Sequence, residues 1–210
     1  MIIAVDGPTA SGKGTIAKAL AAHFGVPHLD TGLLYRAVGL QTARSGGDPD
    51  YEADALAACA FPDALLDDPE LRLESTGGLA SRVSVHPLLR AALLERQRAF
   101  ANQPGGAVLD GRDIGTVIAP HADAKLFVVA SAEARARRRQ MELTVRGVNA
   151  DLAILTADIA ARDARDAGRS AAPLMRAADA DLLDTSDLTI DDAVQRAFAL
   201  VEARLSRRSM

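Results

Sequence analysis

Apolar residues in this chain gather into five short, dense runs, separated by longer stretches in which they recur every three or four positions. The first run, Met1 to Val5, is apolar throughout, as a strand covered on both faces should be. After a glycine-rich break, Ile16, Ala19, Leu20 and Phe24 take up helical spacing and predict a helix from Lys13 to Phe24, closed by Gly25. VPHLD predicts a short second strand ending at Asp30, and Leu33, Leu34, Ala37 and Val38 predict a helix with Thr31 as its N-cap. Three more strands are expected at Ala107 to Asp110, Ala124 to Ala130 and Ala180 to Thr185. Strands alternating with helices predict an α/β fold built on a doubly wound, five-stranded parallel sheet, whose ligands lie beyond the strand C-terminal ends. The residues just past those ends are Gly7 to Thr15, Asp30 to Gly32, Asp110 to Asp113, Ser131 and Thr185. Between Gly46 and His86 the pattern breaks into Pro, Asp, Ala and Gly, which predicts a small inserted region. A helix from Ile190 to Leu205 closes the core, and a basic tail expected to fray follows it.

The break after the first strand carries chemistry. Gly7, Pro8, Thr9, Ala10, Ser11, Gly12, Lys13, Gly14 and Thr15 follow the GxxxxGK spacing. In that spacing backbone N–H groups turn inward around phosphate oxygens, the lysine reaches the β- and γ-phosphates, and the next helix offers its positive dipole end. Gly14 stands where a Ser or Thr hydroxyl usually binds Mg²⁺, and Thr15 comes one place later. That departure weakens a GTPase or motor-ATPase reading and suits small kinases that hold Mg²⁺ largely through water.

Phosphoryl transfer asks mainly for positioning and for positive charge around the migrating group. Arg135, Arg138 and Arg139 stand at i, i+3 and i+4 on a predicted helix, with Arg137 on another face. Arg162, Arg165, Asp166 and Arg169 follow at i, i+3, i+4 and i+7, and share a face if the helix runs past Gly168. Either run also fits a salt-bridged, solvent-facing helix; the phosphate loop tips the balance toward phosphate contact. AVLDGRD ends an apolar strand in Asp110, placed to accept from waters on Mg²⁺ or to hold the loop. Gly111 then turns the chain so that Arg112 and Asp113 face the same cleft.

Composition narrows the class. With 210 residues, 49% hydrophobic and 25% charged, the chain can bury one full core, so one domain over 1–210 is expected. No apolar stretch approaches the roughly 20 residues of a membrane span, and the loop starts too early to leave room for a signal peptide, which places the protein in the cytoplasm. Cys59, the single cysteine, permits no intrachain disulfide and reads as a small packed residue. A net charge of −4 and 3% aromatic content argue against nucleic acid as a partner. Positive charge is nonetheless concentrated: Ser131 to Ser170 holds eight arginines against six acids.

Taken together, GPTASGKGT, LDTGLLYR, RQRAF at Arg96 to Phe100, LDGRDIGTVIAPHADAKLFVVAS, and RDARDAGRSAAPL followed by ADADLLDTS resemble the bacterial cytidylate kinases, within the nucleoside monophosphate kinases. The resemblance runs from Ile3 to about Val194. It implies a P-loop NTPase-type sheet with a core over 1–45 and 87–210, an acceptor-binding insertion over 46–86 and a short lid over 138–162. It implies that Gly7 to Thr15 bind ATP with Arg138 near its base or phosphates, and that Mg²⁺ is met through water by Asp110 and Thr15. Arg36 and Arg112 match the arginines that hold the acceptor phosphate, with Thr31 beside them. Ser81, Arg90 and Asp113 match the trio that reads cytosine: a carboxylate accepts from the exocyclic amine, while Arg and Ser donate to the ring acceptors. Arg162 and Asp166 match the sugar contacts, and Arg169 an arginine reaching toward the phosphates. Lys13, Arg112, Arg138 and Arg169 would then neutralise charge during transfer. The implied reaction is ATP-dependent phosphorylation of CMP and dCMP by a monomer. The alternatives are a kinase for UMP or another small acceptor, and a nucleotide-binding regulator without turnover. The chain departs from the family in its insertion, where DDPELR, Asp67 to Arg72, follows an evident shortening of a stretch that is partly β-hairpin in bacterial relatives.

Overall fold

The computed structural model describes residues 1–145, 147–169 and 171–208. Arg146, inside the expected lid, Ser170 in the RDARDAGRS block and the end of the basic tail at 209–210 lie outside the described residues. The chain runs β1 (Ile2–Asp6), α1 (Lys13–Phe24), β2 (His28–Asp30), α2 (Thr31–Arg44), α3 (Glu52–Ala57), α4 (Glu74–Val83), α5 (Pro87–Ala101), β3 (Ala107–Gly111), β4 (Ala124–Val129), α6 (Ala132–Val145), α7 (Leu152–Ala167), β5 (Asp181–Asp184) and α8 (Ile190–Arg208). All five expected strands form one sheet in the order β2-β3-β1-β4-β5, with every pair parallel.

Side-chain alternation along β1 explains the layers. Ile3 and Val5 point to the face where Ile16, Ala17, Leu20 and Ala21 of α1 pack beside Ala193, Ala197 and Val201 of α8. Ala4, between them, joins Ala107 and Leu109 of β3 on the opposite face, under Ala101, Ile114 and Ile118. Because both faces are covered, β1 and β3 are apolar almost without interruption until their last residues. Their register pairs Val5 with Asp110 and Asp6 with Gly111, while Asp30 pairs with Asp110. Three carboxylates are thereby brought to one C-terminal edge of the sheet.

The stretch 46–86 folds without strands among its described residues. It forms α3, three 3₁₀ turns and α4, and buries Ala55, Phe61, Leu65, Leu71 and Val83 against Leu34 and Val38 of α2 and Leu89 and Leu93 of α5. Cys59 packs at the edge of this cluster, as expected. Gly39 lets α2 and α4 touch: a Cβ there would meet Leu79 Cβ at 2.9 Å and Ala80 N at 3.0 Å. Helices α6 and α7 form a hairpin with a small core of its own, Ala136, Leu143, Leu155 and Ile159. Among the described residues no helix is long and apolar enough to cross a membrane.

Two local expectations are corrected. Asp30, not Thr31, occupies the N-cap of α2, and the Thr31 hydroxyl donates instead to the Asp110 carbonyl at 2.8 Å. That bond ties the start of α2 to the end of β3. Helix α7 ends at Ala167 with Gly168 as its cap, so Arg169 leaves the helix before reaching its partners.

Candidate active site

The loop between β1 and α1 wraps a concavity at the sheet edge. Gly12 sits at φ 88°, and Ala10 is left-handed at φ 60°, a strained backbone for a residue with a side chain. Gly7 passes so close to β4 that a Cβ would stand 2.1 Å from the Val128 carbonyl oxygen. Among the described residues Lys13 Nζ donates to the Pro8 carbonyl, at 3.3 Å. Burial, and next the like charge of Arg112, push the Lys13 ammonium down to about 8. Ser11 Oγ is fully buried and makes no hydrogen bond within the described residues. A half-buried, desolvated lysine and an orphaned hydroxyl within the same loop are what an anion would satisfy.

Arg112 joins this loop to the rest of the cleft. Its Nη2 donates to Thr9 Oγ1 at 2.7 Å and its Nε to Asp166 Oδ2 at 2.7 Å. Asp166 also accepts from Arg169, whose Nε is buried without a partner among the described residues. Burial alone would raise the Asp166 carboxyl; the two guanidiniums outweigh it and hold the group below the usual carboxylate range. At the far end of the cleft Arg90 Nη2 donates to Asp113 Oδ2 at 2.5 Å, and the Arg90 guanidinium lies 5.5 Å over the Tyr35 ring. Ser81 stands nearby on α4, its hydroxyl accepting from Arg165 Nε at 2.9 Å. The whole forms a polar cleft of about 360 Å³ that runs from Lys13 past Thr31, Arg36 and Arg112 to Ser81, Arg90 and Asp113.

The other side of the phosphate loop is different in character. A second cleft of about 510 Å³ opens between α6 and α8, lined by loop residues Ala10 to Gly12 and by Ile16, Met141, Val145, Leu188, Ile190 and Val194. Arg138 stands at its edge and donates through Nη1 to Thr185 Oγ1 at 3.0 Å and through Nη2 to the Thr185 carbonyl. Thr185 in turn donates to the Ser11 carbonyl at 2.9 Å, so Arg138 is anchored to the loop through one residue. An apolar slot and a charged trough thus meet at a single phosphate-type loop.

Thr31, Arg36, Ser81, Arg90, Asp110, Arg112, Asp113, Arg138, Arg162, Asp166 and Arg169 border these clefts and Gly7 to Thr15 form the loop between them, whereas Arg165 reaches only Ser81 among the described contacts and Arg135 serves structure. Arg135 is buried and paired with Asp163, with Nη1 also bonded to the Thr9 carbonyl at 3.2 Å. Arg137 faces solvent beside Glu133. Three residues that sequence reasoning missed, Asp6, Tyr35 and Glu74, complete the site together with Asp30, which the sequence placed at a strand end without a role. Asp6 accepts from the backbone N–H of Ile114 and of Gly115, each at 2.8 Å, and fixes the turn that follows Asp113. Asp30 lies beside Asp110, and burial followed by that neighbouring charge raises its carboxyl. Tyr35 floors the cleft under Arg90, and Glu74 holds two arginines. Asp6 and Asp30 had a signal, an acid as the last residue of a strand; Glu74 had none.

Comparisons with known proteins bear on the family. A family model described as cytidylate kinase matches residues 3–203. The cytidylate kinase of Rhodopseudomonas palustris (strain HaA2) is 55% identical over 210 residues, covering 99% of each chain. That of Xanthobacter autotrophicus is 56% identical over 208 residues, covering 99% of this chain and 100% of the other. Among solved structures, an uncharacterized protein from Eubacterium ventriosum superposes with a TM-score of 0.56 at 15% identity over 97% of this chain and 99% of that one, a likeness of fold.

Proposed function

The chain belongs to the cytidylate kinase family, and on that premise we propose how its two clefts divide the work. The enzyme transfers the γ-phosphoryl group of ATP to the phosphate of CMP or dCMP, giving ADP and CDP or dCDP. ATP lies with its base in the apolar slot between α6 and α8 and its phosphates in the loop Gly7 to Thr15, with Arg138 at the junction. The acceptor lies in the polar cleft, its phosphate near Arg36, Arg112 and Thr31, its sugar near Arg162, Asp166 and Arg169, and its base against Ser81, Arg90 and Asp113. Region 46–86 then serves as the acceptor-binding insertion and 138–162 as the lid, within one domain.

The observation that carries this reading is the position of Arg112, bonded at once to Thr9 of the donor loop and to Asp166 of the acceptor side. A group placed there touches whatever passes between them. An acceptor phosphate oxygen attacks the γ-phosphorus as the bond to the β,γ-bridging oxygen breaks, and the released electron pair stays on ADP. The acceptor is already an oxyanion near neutral pH, so no side-chain base is required. Lys13, Arg112, Arg138 and Arg169 neutralise the charge spread over the equatorial oxygens in a loose, in-line transition state. Closure of lid and insertion excludes water from the reacting phosphate.

Mg²⁺ fits the same corner. His28 Nε2 holds Asp110 Oδ1 at 2.7 Å, while Oδ2 faces the loop, 3.8 Å from where a Gly14 Cβ would stand. With the raised Asp30 carboxyl beside it and Thr15 lining the same cleft, this is a hard-oxygen donor set suited to the waters of a bound Mg²⁺. When bound, the ion supplies positive charge to the β- and γ-phosphates. The absence of a hydroxyl at Gly14 agrees with binding through water.

ADP release measured with CMP, dCMP, UMP and AMP side by side tests the assignment. CMP and dCMP are expected to lead, and UMP ahead of CMP would overturn it. In the same panel Asp113→Ala is expected to raise KM for CMP and remove its advantage over UMP, with KM for ATP unchanged. An unaltered preference would move base recognition away from Asp113.

A further inference from the structure

Glu74 opens α4, in the stretch where the sequence carries no motif. Its carboxylate is divided between the two helices of the α6–α7 hairpin. Oε2 accepts from Arg139 Nε of α6 at 2.5 Å, and Oε1 accepts from Arg162 Nη2 of α7. The Glu74 backbone carbonyl accepts from the same Arg162 nitrogen at 3.3 Å. A third guanidinium is packed against the pair: a Cβ built on Gly77, one turn further along α4, would meet Arg162 Nη1 and Arg36 Nη2, each at 3.0 Å. Burial, and then the charges of Arg162 and Arg139, lower the pKa of Arg36, while Asp30 and Glu74 oppose that shift. Three cations from α2, α6 and α7 thus stand around one carboxylate on α4.

Arg36 Nη1 is held by the Leu71 and Leu73 carbonyls, at 2.8 and 3.1 Å, but guanidiniums crowded in this way repel one another, and Arg139 and Arg162 would spread toward solvent without an anion between them. The other acid bonded to Arg139, Glu142, is on the exposed rim and touches neither Arg36 nor Arg162 among the described contacts. We infer that Glu74 is a positioning residue for the transfer reaction. In the empty enzyme it ties the region 46–86 to the span 138–162 and presets Arg139 and Arg162 in the cleft the acceptor enters. The kinetic part of this inference rests on the kinase reading above; the tie between α4 and the hairpin does not.

The expected signature follows from population arithmetic. If only a fraction of the empty enzyme has its arginines in place, apparent affinity for the acceptor falls by that fraction, whereas turnover in the filled complex, where the nucleotide organises the arginines itself, is spared. Glu74→Gln keeps the shape and removes the charge. It is expected to raise KM for CMP roughly fivefold, with kcat and KM for ATP within about twofold. Glu74→Asp, which keeps the charge on a shorter stem, is expected to recover part of the loss. Hydrogen exchange on the ligand-free protein is expected to speed up in α4 and α7 of Glu74→Gln and to match the parent once CMP and a non-hydrolysable ATP analogue are bound. A KM for CMP that stays level overturns the inference, and so does one that falls, since Glu74 would then be competing with the acceptor phosphate. Reduced kcat at constant KM overturns it as well, because Glu74 would be acting in the transition state. Unchanged exchange in α4 and α7 removes the tie itself. If the parent enzyme fails to phosphorylate CMP while the exchange difference persists, the acceptor assignment is what fails. KM is then read with the acceptor that the substrate panel identifies.

Discussion

Lys13 shows how the site is built for an absent anion. Desolvation of this half-buried ammonium, and then the like charge of Arg112, push it down to about 8, and Asp110 and Asp30 only partly restore it. The charge to which we assign ATP binding is therefore lost in the free enzyme as pH rises through about 8. A profile of kcat/KM for ATP, which reports groups of the free enzyme, is expected to be flat through neutrality and to fall above that point. Lys13→Met is expected to cost several kcal/mol of transition-state stabilisation, about a hundredfold or more in turnover. Near-normal turnover in that variant would remove Lys13 from the chemistry, and a profile level to pH 10 would contradict the perturbed ammonium.

At the scale of elements, the acceptor side depends on how closely α4 approaches α2. Gly39 allows that contact, and any Cβ there collides with the backbone and side chain of Leu79. Gly39→Val is expected to destabilise the fold by about 1–3 kcal/mol through overpacking. It should also raise KM for CMP several-fold by displacing Ser81 and Glu74, with KM for ATP unchanged. A stability loss with no change in KM for CMP would show that α4 can move without consequence for the acceptor. The same elements mark the boundary of what sequence reveals. β1, β3 and β4 were legible because burial on both faces leaves an apolar run, and α1 because Gly12 and Gly25 bracket it. The arginines at helical spacing were legible as a shared face, but not their partners. Whether Arg135 or Arg138 borders a cleft is decided by Asp163 and Thr185, which lie 28 and 47 positions away. Glu74 was hidden because α4 has small residues and no apolar stripe to announce it; its place is set by packing against α2.

For the molecule as a whole, Asp6 links the centre of the sheet to pH. Burial pushes its carboxyl up from 3.8 to about 7, against the two backbone N–H groups it accepts from. Below about pH 4 the group is protonated in both folded and unfolded chains. Between there and pH 7 the folded protein keeps a proton that the unfolded chain releases, so this group's contribution to stability is lost as pH rises through that window. Of roughly 4 kcal/mol in total, about 3 kcal/mol falls between pH 5 and 8. Denaturant unfolding of the parent and of Asp6→Asn at those two pH values should therefore show a gap that changes by that amount. Parallel pH dependence in the two proteins would assign the acid no such role.

The central place of β1 also has a meaning in time. Ile3 pairs with Val108 on one side and with Ala124 on the other, so β1 waits about a hundred residues for either neighbour. On the ribosome, Gly7 to Thr15 emerge well before the strands that frame them, which arrive only when β3 and β4 have been synthesised. A nascent chain of this protein has the loop to which we assign the polyphosphate long before that loop has its frame, and on that assignment nucleotide can stabilise it only after most of the molecule exists.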